Sequence, residues 1–76
     1  MGRAEYVVVL DQGQPKINHN GKLYGPYDTT ADAIRAAIDT AFKAGKQGFS
    51  AQVLVQGQDK LRVEWTYGHD PYPPFA

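Results

Sequence analysis

The chain has no cysteine, which excludes a disulfide framework and a thiolate metal site. At 76 residues it makes one domain, 1–76, close to the size at which a single core barely outweighs chain entropy. Stability must therefore come from packing, within the chain or across a dimer interface. An excess of charge of either sign is also missing: eight basic and eight acidic residues cancel, so no whole-molecule field draws the chain to nucleic acid or an anionic membrane. No apolar run approaches the roughly 18 residues that span a bilayer, and the first ten residues lack a basic region followed by a long apolar one. A cytoplasmic protein without membrane attachment is expected. Gly2 does not make a myristoylation signal, because position 6 is Tyr where Ser or Thr is wanted. Glycines are scattered rather than clustered before a helix, so no phosphate-cradling loop is present. There is no repeat or low-complexity segment.

Apolar and aromatic residues, at 42% and 12%, are ample for a globular fold and argue against disorder. Residues 5–11, Glu-Tyr-Val-Val-Val-Leu-Asp, are β-branched and apolar on both faces, the pattern of a central strand, and Asp11-Gln12-Gly13 bounds it. A more polar strand at 15–20 leads into Asn20-Gly21, a strong hairpin signal because both residues tolerate φ > 0. Residues 22–27 return, with Pro15 and Pro26 confined to strand ends or an edge.

Thr29 or Thr30 caps a helix whose first turn carries Asp32. Ala33, Ile34, Ala37, Ile38, Ala41 and Phe42 form one apolar stripe, and Gly45 is placed to end the helix in a left-handed conformation. Two period-two strands follow, 49–56 and 61–67, joined by the loop Gly57-Gln58-Asp59-Lys60. Alternation puts Leu61, Val63, Trp65 and Tyr67 on the core side, with Arg62 and Glu64 on the open face. The order βββ-α-ββ implies an α+β fold: one helix on one face of a mainly antiparallel five-stranded sheet, with the all-apolar first strand in the middle. The other face keeps Tyr24, Leu54 and either Val7 and Val9 or their neighbours, and such a face needs a cover.

Residues 66–76 are rich in proline and aromatics, with Pro71, Pro73 and Pro74 among Tyr67, Tyr72 and Phe75. Proline restricts itself and its predecessor to extended geometry, so this segment is an ordered strap. Its aromatics call for a docking place, in cis or on a partner, and a cis cap is favoured because three exposed aromatics together are an aggregation liability.

The strand Ala51-Gln52-Val53-Leu54-Val55, the turn Gly57-Gln58-Asp59, the strand 61–66 and the ending Tyr67-Gly68-His69-Asp70-Pro71-Tyr72-Pro73-Pro74 resemble a family of short bacterial domains of unknown function, catalogued as number 2188. Its members typically begin Tyr-Val-Val, carry an Ala-rich helix after a Thr, and end Tyr-Gly-Asn-Asp-Pro-hydrophobic-Pro. The resemblance covers nearly the whole chain. His69 stands at the usual Asn, and Lys60 at the second glycine of the family's turn, where it implies a different loop conformation. The resemblance implies the same order of elements and carries no activity.

The function expected is therefore binding rather than catalysis: a homodimer using the open sheet face or an edge strand together with the strap. Tyr67, Pro71, Tyr72, Pro74 and Phe75 are the contact or capping residues, Trp65 lies beneath them, and Tyr24 and Leu54 lie on the open face. No cofactor or metal is implied; His19 and His69 lack the spacing of a metal site. An alternative is a nucleic-acid accessory protein touching phosphates through Lys16, Lys22 and Arg62 while tyrosines or Trp65 stack on bases. The weakest alternative is an enzyme using His69 and Asp70, since neighbours on an extended chain point apart and Asp70 is better suited to turn formation before Pro71.

Overall fold

The structure, a computed structural model, describes residues 2–74. Its elements are β1 (Arg3–Asp11), β2 (Gln14–His19), β3 (Lys22–Tyr24), α1 (Thr30–Lys46), β4 (Ser50–Gln56) and β5 (Leu61–Thr66). The strands form one sheet in the order β3-β2-β1-β4-β5. All pairs are antiparallel except β1 and β4, and the helix packs on one face, an α+β architecture. The apolar β1 is the central strand, as its composition predicts. Among the described residues no helix is long and apolar enough to cross a membrane.

Two two-residue turns set the register of the first three strands. Asn20 and Gly21 have φ of 54° and 81°, and Gln12 and Gly13 have 53° and 80°, the pair of positive values a tight hairpin turn requires. The boundary seen in the sequence at Asp11-Gln12-Gly13 is thus a second such turn. The third strand is shorter than the predicted 22–27. At Gly25 (φ 122°) the chain leaves the ladder ahead of Pro26, which has no N–H to give, and it is held beside β2 by the Tyr27 amide donating to the Pro15 carbonyl (2.9 Å).

Thr29 caps the helix: its backbone is extended (φ −136°, ψ 161°) and its hydroxyl accepts from the Asp32 amide at 3.0 Å, satisfying one orphan donor of the first turn. The predicted stop at Gly45 is corrected. The helix runs through Gly45 to Lys46, and Gly48 (φ 100°) carries the left-handed backbone. Gly45 is required for another reason: a Cβ there would overlap the ring of Tyr67.

Ala33, Ala37, Ile38 and Ala41 are buried against Ala4, Tyr6, Val8, Ile17, Ala51, Val53 and Trp65. The small helix residues bring the helix axis close to β1 and β4. The predicted alternation of β5 is also corrected. Val53 faces Trp65 while the next residue, Leu54, faces Val63, so Glu64 is an extra residue in the strand, a bulge that interrupts period-two alternation. Trp65 keeps its core place at 2% exposure, whereas Leu61 and Val63, on the far side of the bulge, are 51% and 52% exposed.

Candidate interaction surfaces

The strap packs in cis, on the helix side of the sheet. Tyr72 stacks flat on Phe42 of α1, with ring centroids 3.9 Å apart and planes 6° from parallel, and its hydroxyl donates to the Asp39 carboxylate at 2.7 Å. Trp65 lies beneath, edge-on to Tyr67 and Tyr72, and its indole Nε1 donates to the Pro71 carbonyl at 2.9 Å. This is how a nearly buried tryptophan satisfies its one donor. The preceding turn closes on Thr66: its carbonyl accepts from the His69 and Asp70 amides, and its amide donates to the Asp70 carboxylate at 2.8 Å. Asp70 is thereby committed to the backbone, the turn role its place before Pro71 predicts. Pro74 is half-buried, and Phe75 lies outside the described residues. The hydrogen bond to Asp39 holds the Tyr72 hydroxyl above the usual tyrosine range, with smaller contributions from partial desolvation and the Asp39 charge.

The opposite face is bare. One row of cross-strand neighbours crosses all five strands: Leu23 opposite Asn18, Asn18 opposite Val7, Val7 opposite Leu54, and Leu54 opposite Val63. Four of the five positions are aliphatic, and Leu23 and Val63 are about half exposed. Val9 and Leu61 extend this strip on one side. On the other side Gln52 meets Thr66, its side-chain amide donating to the hydroxyl at 3.4 Å. The charges of this face pair within it: Arg3 with Glu5 at 2.9 Å and Lys16 with Asp11 at 2.8 Å.

Of the residues expected to act together, the structure joins Trp65, Tyr67, Pro71 and Tyr72 in one cluster and puts Leu54 on the other side of the sheet. Tyr24 is not on the open face. The Asn20-Gly21 turn pairs His19 with Lys22 and hence Ile17 with Tyr24, so Tyr24 shares the helix side with buried Ile17, and Leu23 takes the open side. Strap and open face cannot form one contiguous contact as expected. The nucleic-acid candidates are also divided: Lys16 is on the open face, engaged by Asp11, whereas Lys22 and Arg62 are on opposite edge strands and oppose helix-side residues. Arg62 is paired with Glu64 at 3.2 Å. Lys60 needs no left-handed backbone; Gln12 and Asn20 are the non-glycine residues with positive φ among those described.

Sequence reasoning missed Val63 and Leu23 as surface residues. The bulge that turns Val63 outward leaves no composition signal, but the two-residue turn that fixes Leu23 was readable. Comparison with family models, curated proteins and solved structures finds no match.

Proposed function

We propose that this chain is a non-enzymatic binding module that pairs with a second copy of itself through the open sheet face. The observation carrying this reading is the aliphatic row Leu23, Val7, Leu54 and Val63 on a face whose charges are already neutralised in pairs. Five strands about 4.8 Å apart and about six residues long present a footprint of roughly 450 Å². Two such faces bury about 900 Å² in total, just under the roughly 1,000 Å² of a stable specific interface and in the range of a weak, concentration-dependent contact. A neutral face meets its own copy without like-charge repulsion. Face pairing is favoured over edge pairing because β3 has three residues and β5 is interrupted by the Glu64 bulge and carries charges, devices that blunt a sheet edge. The same neutrality gives nucleic acid nothing to bind on this face. A relation to the family of small domains whose ending this chain resembles fits this reading, since the shared Tyr-Gly-x-Asp-Pro segment builds the turn and strap that close the other face.

Sedimentation equilibrium over micromolar to millimolar concentration tests the proposal. The native chain is expected to reach twice its monomer mass, and Leu54→Glu to stay monomeric, because a carboxylate buried in the centre of the contact has no partner. A native chain that stays monomeric at millimolar concentration overturns it.

A further inference from the structure

A helix about 10 Å across covers about two strands of a sheet spaced at about 4.8 Å. Here α1 packs most closely on β4 and β1, leaving two flanks of the helix side. The strap packs over the β5 flank and borders an open hollow of about 520 Å³ whose lining includes Trp65, Tyr72 and the Asp70 carboxylate. The β2–β3 flank holds a second, smaller hollow of about 280 Å³ lined by Tyr6, Ile17, His19, Tyr24, Tyr27 and Thr40. Tyr6 and Ile17 are buried in its floor, Tyr24 at 46% exposure and Tyr27 form its outer wall, and Thr40 stands on the helix.

The chemistry of this lining is specific. The His19 ring stacks on Tyr6 with centroids 4.3 Å apart and 13° between planes, and its Nδ1 lies 3.0 Å from the Glu5 carbonyl, so the floor is rigid and flat. The hydroxyls of Tyr6, Tyr24 and Tyr27 have no hydrogen-bond partner among the described residues. Burial, and then the nearby Tyr24 phenol, hold the Tyr6 hydroxyl above the usual tyrosine range. Among the described residues no carboxylate lines the hollow. Lys22, opposite His19 in the ladder, is not among the lining residues. A hollow of about 150 Å³ accommodates benzene, so this volume suits one substituted ring.

We infer that the hollow between α1 and the β2–β3 hairpin is a binding site for a small, flat aromatic acid. The ring stacks among the tyrosines, and its carboxylate faces the phenol donors. Aromatic walls favour a flat π-system, the phenol O–H groups can donate to a carboxylate, and the lining residues include no carboxylate to repel an anion. The site is on the side of the sheet opposite the proposed self-association face, so either stands if the other fails.

The test is a titration followed by tyrosine and tryptophan ring NMR signals, with 4-hydroxybenzoate as probe and cyclohexanecarboxylate and tetramethylammonium as controls. The expected result is saturable shifts at Tyr6, Tyr24 and Tyr27 with a dissociation constant on the order of 1 mM, suitable for so small a ligand, while Trp65 and Tyr72 on the strap flank, beside the Asp70 carboxylate, stay still. Tyr24→Ala is expected to weaken binding at least about tenfold through loss of the outer wall, and Thr40→Phe to abolish it by filling the hollow. The amide spectrum of each variant confirms its fold. Absence of saturation at about 10 mM, equal response to either control, shifts spread over Trp65 and Tyr72, or unchanged binding in folded Thr40→Phe would each overturn the inference.

Discussion

At the scale of single residues, backbone and packing place opposing demands on a few positions. Gln12 holds φ of 53° in a tight turn, where a non-glycine residue is disfavoured by about 1 kcal/mol or more and Asn is better tolerated. Gln12→Asn is expected to stabilise the chain by about 0.5 kcal/mol in denaturant unfolding. Gly45 shows the reverse balance. Replacing it with Ala improves helix propensity by about 1 kcal/mol, yet the new methyl overlaps the Tyr67 ring, and overpacking costs about 1–3 kcal/mol. The steric term dominates, so Gly45→Ala destabilises, and adding Tyr67→Ala should remove most of the clash contribution in a double-mutant cycle. The tyrosine hydroxyls set the alkaline limit. Tyr6 and Tyr72 ionise at higher pH in the folded chain than in the unfolded one. Their contribution is intact below the unfolded pKa of about 10 and is lost as pH rises through it towards the folded values. Unfolding midpoints should therefore fall above about pH 10, and less steeply in Tyr6→Phe; an unchanged slope would contradict the assignment of Tyr6.

At the scale of elements, the helix depends on its cap and the sheet on its bulge. Thr29→Ala removes the acceptor for the Asp32 amide and should cost about 1 kcal/mol, seen as a lowered denaturation midpoint. The bulge separates two neighbours of similar appearance in sequence. Trp65→Ala empties a core site and should cost about 3–5 kcal/mol, whereas Val63→Lys, on the exposed side of Glu64, should change monomer stability by no more than about 0.5 kcal/mol. Strong local signals made the elements legible in sequence: the apolar run at Val7-Val8-Val9, the Asn20-Gly21 turn, and the stripe from Ala33 to Phe42. Features decided by contacts distant in sequence were not. The need for glycine at Gly45 follows from the Tyr67 ring, which arrives just after β5, and the outward turn of Val63 follows from a pairing shift that period-two alternation does not encode. Tyr24 lies between these cases, because the turn chemistry fixes its face once the pairing of His19 with Lys22 is counted out.

At the scale of the molecule, the sheet has one furnished side and one bare side. The helix and the Tyr72 strap pack on the first over β1, β4 and β5, and the tyrosine hollow lies beside β2 and β3. The second carries a neutral strip of aliphatic side chains in a chain small enough that such a strip is a large share of its surface. Because the charges on that face pair internally, self-association should depend only weakly on ionic strength, changing by less than about threefold between low and high salt. The central claim, that two copies meet through this face, is tested most directly by mixing isotope-labelled and unlabelled chains and recording intermolecular NOEs. The account predicts contacts from the methyl groups of Val7, Leu54 and Val63 to the facing strip of the other copy and none from Tyr72 or Phe42. Intermolecular contacts confined to the strap and helix, or none at millimolar concentration, would contradict it.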